Sequence, residues 1–307
     1  MELYQLRTFI AVAELGHTTR AAEKLHLSQP AVSAQIKSLE DELGVALFER
    51  TSGGMRLTRA GTGLVPHVER VLAAAQELKT AARAMKGVTA GRLRVGTVSD
   101  PQSLRLGSVL SEMVETHPLV AIELHHEVSG VALEKVAAGR LDASFYFGDL
   151  DAPGVAGLAL GALAYRVTGP AAWKERIEGG AWSDIAAQPW VMTPPVSTHS
   201  QLVRRLFRER GLAPTQVVEA DNESVIATLV AAGVGLSLMR ENLALDKQAR
   251  GEVCVWEPGR VETTLWFIYP AGRERDPLIA ALLDAVREAW RDAAPAGLEG
   301  GATTGAA

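Results

Sequence analysis

Cysteine occurs once in these 307 residues, at Cys254. That excludes an internal disulfide framework and a two-thiol redox switch within one chain, and it fits a reducing compartment. A long hydrophobic run is also missing. No apolar stretch approaches the ~20 residues of a membrane helix, so no membrane partner is expected. The opening MELYQLRTFIAV carries Glu2 early and no basic segment ahead of its apolar part, unlike a secretory signal. The expectation is a cytoplasmic protein. Catalytic fingerprints are equally scarce: there is no H-E-x-x-H, no G-x-S-x-G and no G-x-x-x-x-G-K. His125 and His126 are neighbours on an expected strand, so they face opposite sides and do not share a metal. Cys254 has no partner in sequence and reads as a buried structural thiol. Neither an enzyme nor a metal centre nor a cofactor is expected.

An overall basic surplus is absent too, since the net charge is −5. The distribution is uneven. Residues 1–86 hold 11 Lys/Arg against 9 Asp/Glu, a net +2, and the remainder holds 20 against 27, a net −7. A nucleic-acid face depends on local patterning rather than on a basic whole, so charge alone decides nothing. The length predicts two or three compact units.

What is present begins with helical spacing. In residues 4–15, Leu6, Phe9, Ile10 and Ala13 share a face, and Gly16 ends the helix. A second short helix spans 18–25. Then comes LHLSQPAVSAQIKSLE, residues 25–40. Val32, Ile36, Leu39 and Leu43 make one face of a third helix apolar. Ser28 is placed to cap it and Pro30 lies in its first turn, where a missing N–H costs nothing. Gly44 closes it. The other face carries Gln29, Ser33, Ala34 and Lys37, short and polar. Such a face suits a helix entering the major groove of DNA, and it equally suits a capped helix in water. The two short helices before it tilt the balance towards recognition. Leu47 and Phe48 read as buried, Gly53-Gly54 as a hairpin turn, and Arg50, Arg56 and Arg59 as groups able to meet phosphates.

A long helix is expected from Gly61 to Met85. Leu64, Val68, Val71, Ala75, Leu78, Ala82 and Met85 alternate in steps of four and three, an a/d seam that favours a dimer over packing on the helix's own domain. Gly87 and Gly91 are expected to end this helix and mark a domain boundary. From Arg92 strands alternate with helices, as in an α/β region: 93–98, 120–126 and 141–148 first, then LAYRVTG, WVMTPP, VVEAD and GVGLSLM around helices at 199–210 and 223–232. LWFIYP and a helix at about 276–291 finish the pattern. The tail 293–307 is Gly/Ala-rich and is expected to be disordered.

The segment TRAAEKLHLSQPAVSAQIKSLEDELGVALFER resembles the winged helix-turn-helix signature of LysR-type transcriptional regulators. The following helix, the α/β region, AQPWVMTPP and VAAGVGLSLMRE extend the resemblance over nearly the whole chain. It implies a winged helix-turn-helix at 1–60, a linker helix at 61–88 and a two-lobed α/β sensor at 91–292. The sensor would resemble type 2 periplasmic solute-binding domains, with lobe 1 at about 91–161 and 267–292 and lobe 2 at about 162–266, joined by two crossing strands. It further implies homodimers paired into homotetramers on double-stranded promoter DNA. A small-molecule effector in the cleft would alter DNA bending and contact with RNA polymerase. Carried over, the DNA-binding residues are Ser28, Gln29, Pro30, Ser33, Ala34 and Lys37 on the third helix and Arg50, Arg56 and Thr58 in the wing. The sequence departs from the family at His17 and Thr18, where a serine and an apolar residue are usual, and at Ala34, where arginine is frequent.

Effectors in such a fold sit beyond the C-terminal ends of strands. Asp100-Pro101 reads as an N-cap and first helical residue, and Ser197 or Thr198 as another helix start. The resemblance implies effector contacts in both loops, by Ser99, Ser103, Thr198 and His199, with Phe147 as an apolar wall. For each residue taken singly, capping, surface or core packing serves as well. A small organic acid is the expected effector class. Two rivals remain: a solute-binding transport protein, against which the DNA-binding head argues, and a DNA-binding architectural or repressor protein with no effector.

Overall fold

The computed structural model describes residues 1–51, 53–84, 89–98 and 101–291. Ser52, Met85 to Val88, Ser99, Asp100 and everything from Asp292, including the expected tail, lie outside them. The chain divides into two compact units, meeting in sequence at Val88 and Thr89.

The first unit contains α1 (Leu3–Leu15), α2 (Thr18–Leu25), α3 (Gln29–Leu43), the hairpin β1 (Phe48–Thr51) and β2 (Gly54–Leu57), and α4 (Arg59–Ala84). Its core joins Phe9 and Val12 of α1, Ala21 of α2, Val32, Ile36 and Leu39 of α3, and Leu47 and Phe48. The Phe9 and Phe48 rings stand 5.5 Å apart. Two polar clasps fix α1 on α3: Gln5 Nε2 donates to Ser38 Oγ at 3.0 Å, and Thr8 Oγ1 to Gln35 Oε1 at 2.5 Å. Gly16 ends α1 with φ 67°, and its carbonyl accepts from the Met55 N–H at 2.7 Å. The wing is thereby tied to the α1–α2 turn. Gly54, at φ 126°, must be glycine there, because a Cβ would overlap the Gly16 carbonyl and the His17 ring.

Helix α4 starts at Arg59, two residues before the expected Gly61. Thr58 explains the start. Its hydroxyl donates to the Ala46 carbonyl at 2.7 Å and accepts from the Gly61 N–H at 3.0 Å, as an N-cap does. The expected seam divides. Val68 is buried in the unit's own core and Leu64 packs against it, so these two positions have an intramolecular role. Ala75 is half-buried, whereas Val71 is 42% and Leu78 73% exposed. Ala82 lies in the helix, its side chain outside the description, as is all of Met85.

The second unit runs β3 (Gly91–Thr97), α5 (Leu106–Thr116), β4 (Val120–His126), α6 (Ser129–Ala137), β5 (Ala143–Phe147), β6 (Val155–Pro170), α7 (Lys174–Ile177), α8 (Trp182–Ala186), β7 (Pro189–Met192), α9 (Thr198–Arg208), β8 (Thr215–Glu219), α10 (Glu223–Ala231), β9 (Ser237–Arg240), α11 (Glu241–Ala249), β10 (Val253–Pro270) and α12 (Pro277–Trp290). Its large sheet has the order β4-β3-β5-β10-β6-β9, with β3 parallel to β4 and β5. Strands β6 and β10 pair antiparallel from Val253↔Pro170 to Pro270↔Val155 and so run through two cores. One core gathers Leu93, Val95, Phe145, Phe267, Leu282 and Trp290. The other gathers Val167, Ile185, Trp190, Val203, Phe207 and Trp256, where β7 and β8 pair in parallel. The part around the first core is called lobe 1 below, and the part around the second lobe 2.

Three expectations shift. Gly91 opens β3 rather than closing a helix. Pro101 is not a first helical residue: the Arg105 N–H bonds the Gln102 carbonyl at 3.1 Å and the Leu106 N–H the Pro101 carbonyl at 3.0 Å. The chain turns for five residues, Arg105 takes a left-handed φ of 46°, and α5 begins only at Leu106. Finally, LAYRVTG and LWFIYP are only parts of β6 and β10. Cys254 is buried, its thiol 3.0 Å from the Pro170 carbonyl. Burial pushes that thiol up, as in an inert structural cysteine.

Candidate functional site

In the first unit the exposed start of α3 is the candidate site. Ser28 Oγ accepts from the Ala31 N–H at 3.3 Å and Pro30 occupies the first turn. Gln29, Pro30, Ala34 and Lys37 are exposed, with Ser33 half-buried between them. Gln29 Nε2 donates to Ser33 Oγ at 3.0 Å and to Thr18 Oγ1 at 3.4 Å. A groove of about 700 Å³ runs beside α3, lined among others by Thr18, Gln29, Ser33, Lys37 and Arg50. Arg50 is exposed on β1. Arg56 is paired with Glu49, Nε to Oε1 2.7 Å, which cancels much of its charge. Thr58, expected among the DNA contacts, spends its hydroxyl on the start of α4. At the head of α2, His17 makes no side-chain cap, in keeping with its departure from serine.

In the second unit a cleft of about 780 Å³ opens at the C-terminal ends of the strands. Lobe 1 contributes Thr97 and Val98 after β3, His126 at the end of β4, Ser129 at the start of α6, and Phe147 at the end of β5. Lobe 2 contributes Tyr165, Thr193, the α9 start (Ser197, Thr198, His199), the α10 start (Asp221 to Ser224), and Arg240 with Lys247. Thr198 Oγ1 donates to the Phe147 carbonyl, joining the lobes. Thr193 Oγ1 donates to Ser197 Oγ at 2.8 Å. Ser197 makes no side-chain cap on α9, and the first-turn N–H groups left without one suit an anion.

His199 Nε2 lies 2.9 Å from the Leu238 carbonyl, so the ring carries its proton there and Nδ1 faces Thr193 Oγ1 at 3.4 Å. Burial pulls the imidazole pKa below its ordinary value, against weaker opposition from the Leu238 carbonyl and Glu223. Burial drives the Tyr165 phenol far up, so it stays a neutral hydroxyl. Arg240 is 6% exposed, with Nε 2.8 and 2.9 Å from the two Glu223 oxygens. Lys247 pairs with Glu252 at 2.5 Å. Arg240 and Lys247 are thus paired within the wall, and the cavity is lined by hydroxyls and helix ends together with apolar side chains such as Val98, Phe147, Ile226 and Leu238, with Asp221 also facing it. The volume suits one small molecule.

Residues 3–62 match the model described as the bacterial regulatory helix-turn-helix protein, lysR family, and residues 86–291 match that of the LysR substrate binding domain. The chain belongs to the LysR family. This LysR-type protein is therefore a DNA-binding transcriptional regulator with an effector-binding domain, and not an enzyme. Among its relatives are the HTH-type regulator XapR of Escherichia coli, 27% identical over 94% of this chain and 98% of its own length, and IlvR of Caulobacter vibrioides, 33% identical over 79% and 83%. ArgP from Mycobacterium tuberculosis shares the fold with a TM-score of 0.71 at 23% identity, over 93% of this chain and 96% of that one. So do CbnR complexed with its target DNA (0.60, 24%, covering 94% and 100%) and LysG of Corynebacterium glutamicum with bound effector Arg (0.60, 20%, covering 95% and 99%). No helix among the described residues is long and apolar enough to cross a membrane.

Of the residues named for effector contact, Phe147, Thr198 and His199 line the cleft of this LysR-type sensor. Ser103 is not among its lining residues, although Pro101 of the same turn is, and Ser99 lies outside the described residues. Tyr165, Thr193, Glu223 and Arg240 escaped the sequence reading. The only cue to Arg240 was its place at the end of GVGLSLMR, a strand terminus.

Proposed function

We propose that α3 lies in the major groove of promoter DNA, with Gln29 and Ser33 towards base edges and Pro30 and Ala34 in apolar contact. Ser28, Lys37, Arg50 and, more weakly, Arg56 meet phosphates. Thr58 serves the wing by fixing α4. The observation that carries this reading is the capped first turn of α3, whose exposed side chains are short and polar where a groove demands close approach. Two copies associate through Val71, Ala75 and Leu78 of α4, continuing to Ala82 and Met85, and dimers pair into tetramers. The exposure of Val71 and Leu78 supports that seam.

The cleft takes a small organic acid. Its carboxylate lies at the start of α9 beside Thr198 and His199, and Phe147 forms a wall. The uncapped α9 terminus and the hydroxyl lining support this class. Binding changes the bend imposed on DNA and the contact with RNA polymerase, in the cytoplasm. The cleft itself speaks against an architectural protein without effector. The domain borders follow the sequence reading, with the linker beginning at Arg59.

Two measurements test this. Gln29→Ala should weaken binding to a selected duplex by about 1–3 kcal/mol while barely changing binding to random duplex. Equal loss on both removes Gln29 from base reading. Thermal unfolding against a panel of small carboxylic acids should find one that, at ~100 times its dissociation constant, adds about 2.7 kcal/mol to stability. Thr198→Val should abolish that gain.

A further inference from the structure

Resting on the base-reading role of Gln29, we propose that Thr18 is a positioning residue that sets which bases Gln29 accepts. The Gln29 amide has two N–H donors and one carbonyl acceptor. Its nitrogen points at two hydroxyl oxygens, Ser33 Oγ at 3.0 Å and Thr18 Oγ1 at 3.4 Å. One of these is on its own helix, four residues on. The other belongs to the first residue of α2, so the amide is held from two elements. All three side chains line the same groove. Oε1 has no hydrogen-bond partner among the described residues. Gln29 in this arrangement offers DNA an acceptor and no donor.

That changes what it reads. An unconstrained glutamine pairs bidentately with adenine, accepting from N6–H and donating to N7. Held by Thr18 and Ser33, its amide keeps only the first of these bonds. In the major groove only adenine N6 and cytosine N4 donate, while guanine and thymine present acceptors at their edges. Gln29 therefore selects an amino base, adenine or cytosine, with little choice between them. A hydroxyl at position 18 is required for this. A valine has the same branched shape and supplies no acceptor, and it frees one N–H to reach adenine N7.

The test uses the full-length protein and duplexes selected from a random library. Gln29→Ala first identifies the base pair whose preference it flattens. Relative dissociation constants are then measured on four duplexes differing only at that pair. For the wild type, the adenine and cytosine duplexes should bind within about threefold of each other, both more tightly than the guanine and thymine duplexes. Thr18→Val should raise the adenine-to-cytosine preference about three- to tenfold, the scale of one hydrogen bond. Ser33→Ala should act in the same direction, and Thr18→Ser, which keeps the hydroxyl, should restore the wild-type ratio. A wild type that prefers guanine or thymine, or a ratio unmoved in both Thr18→Val and Ser33→Ala, overturns the role of Thr18 while leaving Gln29 as a base contact. If Gln29→Ala flattens no position, the base-reading role itself fails and this inference falls with it.

Discussion

Gly130 offers a severe test of how the sensor lobes meet. It is the second residue of α6 in lobe 1, with no positive φ. On helix propensity alone, alanine there should gain up to ~1 kcal/mol. The space forbids it. A Cβ would overlap the carbonyl oxygen of Val196 and stand 3.1 Å from its carbonyl carbon and 3.2 Å from its Cβ. Restoring ordinary contact requires Val196 to retreat by roughly 1 Å. Val196 directly precedes Ser197 and Thr198, so the retreat pulls the α9 start away from lobe 1. It also stretches the bond from Thr198 Oγ1 to the Phe147 carbonyl. Overpacking costs about 1–3 kcal/mol and the stretched bond about 0.5–1.5 more, so the clash outweighs the propensity gain. For a unit of this size each kcal/mol moves the midpoint by about 2–4 °C, and Gly130→Ala should melt roughly 3–10 °C lower. Gly107→Ala is the matched control: it is the second residue of α5, with nothing within 4 Å of its would-be Cβ. It should melt at the same temperature or slightly higher. The assay is thermal unfolding of both variants beside the wild type, and equal midpoints for the two would refute the close approach of Val196 to α6.

Asp142 is 7% exposed and bonds the Arg94 backbone N–H at 2.9 Å and Arg273 Nη1 at 3.0 Å. Burial pushes its carboxyl up, but Arg94 and then Arg273 outweigh it and hold the pKa below the ordinary value. Its contribution to stability is therefore complete above ~3.9 and is lost as pH falls through the lower folded value. Asp142→Asn should cost about 2–4 kcal/mol near neutral pH and flatten the acid limb of a midpoint-versus-pH curve. His199 works in a different window. Its folded pKa is lowered by burial, so stability declines as pH drops below ~6.5, and His199→Gln should remove that decline. Arg50→Ala should reduce the slope of log affinity against log salt by about one unit. Arg56→Ala, already neutralised by Glu49, should change the slope less, and equal effects would count against the pairing.

Legibility followed locality. Ser28, Pro30 and Val32 declare the start of α3 within five residues, because capping and helical spacing are short-range. The α9 start at Thr198 was readable for the same reason. Pro101 misled because its usual place at a helix start was overridden by a five-residue turn ending in a left-handed Arg105. The full lengths of β6 and β10 were hidden. Each strand passes from one core to the other, so its burial pattern changes midway and no single alternation covers it. The cleft wall was legible only in part. Arg240 and Glu223 meet across 17 positions, Thr198 and Phe147 across 51, and nothing in a local window connects such partners. Leu64 and Val68 fit a heptad equally well whether their neighbour is a second copy or the core beneath them.

The anchoring of α4 by Thr58 and its packing against the first unit's core as far as Leu72, which is half-buried there, make that helix a lever with a fixed end. From Leu72 to Ala84 it extends roughly 18 Å at 1.5 Å per residue. If α3 and the first turns of α4 move as one body, a sideways displacement of about 3 Å at the far end becomes a rotation of about 10° at the groove-facing helix. On the proposed reading of α3, an adjustment no larger than the slip of one side chain past another would then be enough to turn Gln29 away from a base edge.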